Sequence, residues 1–240
     1  MIAEIERLFI PNSALNYNHL VVCTDSRKTA VIDPFDADFV FNHAQHKNLS
    51  IDQIWITHEH PDHTRGFERL KQLTKATVYA PISCKGKLNA DVWLEDQQKL
   101  KLGECEIEHL LTPGHTPGHG IFWQPEHWAV CGDTLFNAGV GNTKSGDVSE
   151  LYQTILRLKR LFTDSVVIYT GHDYLITNLK FSLSLNPGLE LAEQLLTQAE
   201  KQSPQTRTIT NWAIEQQINL FLQANNEAEF TKLREQRDHW

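Results

Sequence analysis

The stretch Thr57-His58-Glu59-His60-Pro61-Asp62-His63 sets three imidazoles and the Asp62 carboxylate within six residues. The run before it, Ile51-Asp52-Gln53-Ile54-Trp55-Ile56-Thr57, reads as a buried strand. His58 and His60 are two apart, so an extended backbone turns both to one side. Pro61 keeps His60 out of the helical region and bends the chain. Asp62 and His63 then open a short helix whose apolar side is Phe67, Leu70 and Leu73. Imidazole and carboxylate are the ligands of zinc and similar divalent metals. One strand end and one turn thus begin two adjacent metal sites, without enough donors to complete either.

Working outward, three further residues follow predicted strands. His115 sits in the turn Thr112-Pro113-Gly114-His115-Thr116-Pro117-Gly118-His119 after a strand over 105–111. Asp133 follows Gly132 after a strand over 128–131, and His172 follows Gly171 after a strand over 166–170. Glycine lets the backbone approach a crowded site, and loops at strand ends are where a rigid sheet presents functional groups. Each of the three alone would suit a turn or surface role as well. Beside the opening stretch they become candidate ligands. His119 is expected to hydrogen-bond a ligand or shape its turn. His19, His43, His46, His109, His127 and His239 have no comparable setting.

Other short strands are predicted over 20–23, 29–32, 77–80 and 121–123, with Asp33-Pro34 closing the second. Short strands with few helices between them suggest sheets packed face to face with helices outside. Val148, Leu151, Ile155, Leu158 and Phe162 make one apolar helix face, with Asp147 as its N-cap. From Asn178 onward the chain is polar and helical. Leu189, Leu191, Leu195 and Leu196 mark one amphipathic helix, and Trp212, Ile218, Phe221 and Leu222 another. The expected division is a metal-binding domain over 1–175 and a small helical appendage over 176–240.

A net charge of -8 argues against broad binding to nucleic acid or anionic membrane. No run of 18 apolar residues is present, and the first residues lack a basic stretch followed by an apolar core. Cys23, Cys84, Cys105 and Cys131 are widely spaced without a CxxC, as expected of free thiols in a reducing cytoplasm.

The order His58-Glu59-His60-Pro61-Asp62-His63, His115, Asp133, His172 resembles the metallo-β-lactamase superfamily over about the first 175 residues. The resemblance implies an α+β fold, an αββα sandwich with two metals at one sheet edge. It implies one site from His58, His60 and His115, a second from Asp62, His63 and His172, and Asp133 bridging both. Gly132-Asp133-Thr134-Leu135-Phe136, Ala138-Gly139-Val140-Gly141, Gly171-His172-Asp173-Tyr174 and Asn178-Leu179-Lys180-Phe181 are similar to glyoxalase II, and so is Asn219-Leu220-Phe221-Leu222-Gln223 in the tail. Glyoxalase II hydrolyses the thioester S-lactoylglutathione to lactate and glutathione. This likeness implies two divalent ions, zinc by preference over iron or manganese, and a small glutathione thioester as partner. Asp133 and Asp62 carry the catalytic roles it implies, the first fixing the metal spacing and the second orienting the attacking water. A thiol leaving group, with a pKa of about 8.5, needs no separate general acid.

The substrate positions the family implies are Asn142, Lys144, Tyr174 and Gln223. Tyr174 matches; Asn142 and Lys144 stand where the family has a basic residue and an aromatic one, and Gln223 stands for its arginine. The chain also resembles persulfide dioxygenases, which hold one iron through two histidines and an aspartate. His58, His115 and Asp133 would supply that triad.

Overall fold

The computed structural model describes residues 1–240. Its first half builds a six-stranded sheet from β1 (Ala3–Phe9), β2 (Tyr17–Cys23), β3 (Lys28–Ile32), β4 (Ser50–Trp55), β5 (Thr77–Pro81) and β6 (Val92–Leu94), in that spatial order. The first three pair antiparallel and the rest parallel. Parallel neighbours need crossovers. The first two are α1 (Ala37–His46), capped by Asp36, and the pair α2 (Pro61–Thr64) and α3 (Phe67–Thr74). Phe67 and Leu70 are buried as their spacing predicts; Leu73 stays on the surface.

The second half builds a sheet ordered β14-β13-β10-β9-β8-β7. Its strands are β7 (Gln98–Leu102), β8 (Cys105–Leu111), β9 (Gly120–Gln124), β10 (Trp128–Val130), β13 (Val167–Tyr169) and β14 (Thr210–Asn211). The crossover from β10 to β13 contains the small hairpin β11 (Leu135–Phe136) and β12 (Gly139–Val140), then α4 (Val148–Leu161). Asp147 caps α4 by accepting from the Glu150 amide, and Leu151, Ile155 and Leu158 face the sheet.

Strand periodicity sorts the core. Ile54 points outward to α1 and α3, while Trp55 points between the sheets and stacks on Phe122 at 4.9 Å. Val31 and Ile32 divide the same way. The sandwich is therefore helix, sheet, sheet, helix. The tail adds α5 (Leu175–Leu185), α6 (Glu190–Ala199), α7 (Trp212–Ile218), α8 (Leu220–Gln223) and α9 (Glu227–Asp238). It does more than append helices. β14 extends the second sheet, and Trp212, Phe221, Leu222 and Phe230 pack with Trp123, Ile155 and Phe162 under α4. A two-residue strand has no periodicity to read.

Candidate metal centre

The segments after β4, β8, β10 and β13 leave the two sheets at one end, and the predicted donors meet there. His58, His60 and His115 form one group, and Asp62, His63 and His172 another, each with ligand atoms within 4.8 Å of one another. His60 Nδ1 lies 3.0 Å from both His58 Nε2 and His115 Nε2, and His63 Nε2 lies 3.2 Å from His172 Nε2. Asp133 reaches both groups. Its Oδ2 is 3.6 Å from His115 Nε2 and 3.3 Å from His172 Nε2, and its Oδ1 is 3.3 Å from His63 Nε2. Asp62 Oδ2 is 3.4 Å from His172 Nε2.

The other ring nitrogens decide the tautomers. His115 Nδ1 donates to the Asn142 carbonyl at 2.7 Å, and His172 Nδ1 to the Ala14 carbonyl at 2.7 Å. His63 Nδ1 donates to Asp33 Oδ2 at 2.9 Å. The Thr57 hydroxyl donates to Asp33 at 2.6 Å and so accepts from His58 Nδ1 at 3.0 Å. Ser145 Oγ donates to the His115 carbonyl at 3.2 Å and accepts from His60 Nε2 at 2.9 Å. Every inward nitrogen thereby presents a lone pair. Lone pairs facing one another at such distances repel unless a cation lies between them. Asp133 Oδ1 is buried with no hydrogen-bond partner, a second sign of the same demand. The donor set fits divalent metal ions.

The electrostatics agree. Burial holds His58 and His119 well below the ordinary histidine range. Burial would do the same to His63, but the carboxylates of Asp133 and Asp33 raise it well above that range.

Two residues in this arrangement carry no mark in the sequence. Asp33, at φ 52°, accepts from the Thr57 amide and hydroxyl and from His63. Thr57 relays that bond to His58. His119 stacks on the His58 ring at 4.7 Å, and its Nε2 accepts the Asp133 amide at 3.0 Å, orienting that residue. Gly171 allows the crowding, since a Cβ there would stand 2.4 Å from Asp133 Oδ1.

Beside the centre lies a cleft of about 200 Å³ lined by Phe136, Asn142, Lys144, Tyr174, Arg234 and Arg237, among others. The Tyr174 ring stacks on His172 at 4.9 Å and an interplanar angle of 2°, and burial raises its hydroxyl to about 12. Asn142, Lys144 and Tyr174 are thus together at the cleft. Gln223 is not among its lining residues. Its Nε2 donates to the Gln216 and Gln217 carbonyls at the exposed end of α7, so its side chain is already engaged there. Positive charge comes instead from Arg237 of α9 and from Arg234, which is paired with Asp238 at 2.8 Å. A polar helix gives no sign from sequence that two of its cations turn inward.

Two stacked sheets with this His and Asp cluster at one end define a metallo-β-lactamase-type domain, and the model of the "Metallo-beta-lactamase superfamily" matches residues 15–83 and 85–172. A second model, "Hydroxyacylglutathione hydrolase C-terminus", matches residues 173–240. Within that superfamily the chain belongs to the hydroxyacylglutathione hydrolase family. It is 36% identical over 236 residues to the hydroxyacylglutathione hydrolase of Nitrosococcus oceani, covering 96% of this chain and 90% of that protein. The corresponding protein of Polaromonas sp. is 34% identical, with the same coverage of 96% and 90%. Among solved structures, ETHE1 from Myxococcus xanthus superimposes with a TM-score of 0.76 at 25% identity, covering 98% of this chain and 90% of that one. TTHA1623 in a di-iron-bound form shares the fold, with a TM-score of 0.59 at 24% identity over 69% of this chain and 91% of that one.

Proposed function

We propose that the chain is a binuclear metal-dependent thioesterase that hydrolyses S-(2-hydroxyacyl)glutathione, such as S-lactoylglutathione, to a 2-hydroxy acid and glutathione. The observation that carries this reading is the pair of converging donor groups, both reached by Asp133, opening on a cationic cleft. Its relatives' names point the same way. His58, His60 and His115 would hold one ion, Asp62, His63 and His172 the other, and Asp133 both; zinc is the proposed metal. Two bound divalent ions supply an activated water nucleophile near neutral pH and a Lewis acid for the thioester carbonyl.

The protein's own groups do the rest. Asp133, its amide held by His119, sets the separation of the two donor groups. Asn16 donates to the Asp62 carbonyl at 3.1 Å and lies 3.4 Å from its carboxylate, so Asp62 is held where it can accept a proton from the attacking water. Lys144 and Arg237 attract a thiol bearing carboxylates, while Arg234 is paired with Asp238 of the cleft wall at 2.8 Å; Tyr174 places a hydroxyl beside the site. The thiol can depart as thiolate, so no separate general acid is required. The division at residue 175 assigns the metal donors to the first part and the cleft's arginines to the second. No helix is long and apolar enough to cross a membrane, and the four buried free cysteines fit a reducing cytoplasm.

The one-iron persulfide dioxygenase reading uses only His58, His115 and Asp133. It leaves Asp62, His63 and His172 as three converging donors with their lone pairs unmatched. The deciding experiment is turnover of S-lactoylglutathione by metal-analysed protein, with oxygen uptake followed on glutathione persulfide. Thioester turnover with about two ions per chain is expected. Oxygen uptake with one iron and no thioester turnover refutes the proposal.

A further inference from the structure

Glu215 in α7 is fully buried and lines neither the donor cluster nor the cleft. A carboxylate so placed is costly unless every oxygen is satisfied. Here donors alone surround it: the Ala138 amide at 2.9 Å, Asn219 Nδ2 at 3.1 Å, Asn137 Nδ2 at 3.4 Å and the Thr210 hydroxyl. Two of these belong to the Asn137–Ala138 turn of the β11–β12 hairpin, where Ala138 is held at φ 58°.

The bonds continue to the cleft. The Asn137 carbonyl accepts from Asn178 Nδ2 at 3.0 Å, and Asn178 Oδ1 accepts from Arg237 Nη2 at 3.2 Å and Nε at 3.3 Å. On a second branch, Asn219 Nδ2 donates to the Gly139 carbonyl at 3.1 Å. That hairpin carries Phe136, whose ring lies 5.1 Å from Tyr174 and 5.9 Å from His172. An unbroken line of hydrogen bonds therefore joins a buried tail carboxylate to the wall of the cleft and to one of its cations.

We propose that Glu215 is a positioning residue for the thiol cleft, fixing the Asn137–Ala138 turn and, through Asn137 and Asn178, the Arg237 guanidinium. The tail thus acts on the site by bracing a hairpin of the metal-binding part as well as by contributing arginines. This rests on the thioesterase reading only in taking the cleft as the thiol site.

The test uses the full-length, metal-loaded Glu215→Gln protein. Glutamine keeps the size but turns an amide NH2 toward donors. Amides of residues 137–141 should exchange with solvent at least about tenfold faster, with those of α4 unchanged. KM for S-lactoylglutathione should rise about fivefold to twentyfold, with kcat within about threefold and metal content retained. Gly139→Ala perturbs the same line from its other end, because a Cβ there would stand 2.6 Å from Asn178 Nδ2. It should raise KM likewise, and it decides the matter if Glu215→Gln does not fold. An unchanged KM in either folded variant overturns the proposal, as does a fall in kcat that tracks metal loss. If the unaltered protein does not turn over S-lactoylglutathione, the thioesterase reading fails, and hairpin exchange alone then decides the role of Glu215.

Discussion

Asp33→Asn should disable the metal centre without touching a ligand. The carboxylate accepts three hydrogen bonds: the Thr57 amide at 2.7 Å on Oδ1, and the Thr57 hydroxyl at 2.6 Å and His63 Nδ1 at 2.9 Å on Oδ2. Asparagine has one acceptor oxygen. If it keeps the Thr57 amide, its NH2 meets His63 Nδ1 and drives the His63 proton to Nε2, toward the ligand group. The same NH2 donates to Thr57 Oγ1, freeing that hydroxyl to donate to His58 Nδ1 and reverse a second ring. If the side chain flips instead, the NH2 faces the buried Thr57 amide, an unsatisfied pair worth roughly 1–3 kcal/mol of stability. Loss of an outer partner of a metal-bound histidine typically weakens metal binding about tenfold to a hundredfold, or about 1.4–2.7 kcal/mol. With a ligand of each group affected, both ions should weaken in a chelator competition. A Tm drop of several degrees replaces this if the flipped form wins. Unchanged affinity for two ions together with an unchanged Tm would falsify the tautomer argument.

Other outcomes follow from the same geometry. Asp133→Ala should abolish turnover and most binding of a second ion, since that carboxylate reaches both groups; metal analysis showing two tightly held ions would contradict this. Arg237→Ala should raise KM about tenfold to a hundredfold, the worth of one hydrogen bond to a charged group. Gln223→Arg should leave KM unchanged, because position 223 does not line the cleft. Stability should fall in acid through two buried histidines outside the centre. Burial lowers His19 to about 3 and His109 to about 4, so both are neutral when folded and protonate near 6.5 when unfolded. Their full contribution is present above about pH 6.5, and each then removes up to about 1.4 kcal/mol per pH unit on acidification. A denaturant series from pH 7.5 to 5 should be shallower in a His109→Gln chain, and an equal slope would count against the reading.

What the sequence discloses depends on how local each signal is. Six residues hold four of the donors, and a glycine precedes each of the other three, so the ligands stand out without knowledge of the fold. Asp33 acts through Thr57, which is 24 positions away, and only pairing of β3 with β4 brings them together. Before that pairing is known, Asp33 is one more acidic residue ahead of a proline. β1 fails for a related reason. Its fully buried residues, Ala3 and Leu8, are five apart, which matches no alternation. The cleft is the most instructive case. A match of short segments singles out Gln223, yet the hydrogen-bond needs of a helix end claim that side chain. Arg234 and Arg237 face inward because Phe230 anchors α9 in the core beneath α4, four residues before Arg234 and two turns before Arg237. The charge a thiol carboxylate would require is thus set by where one aromatic ring packs, and linear similarity cannot report that.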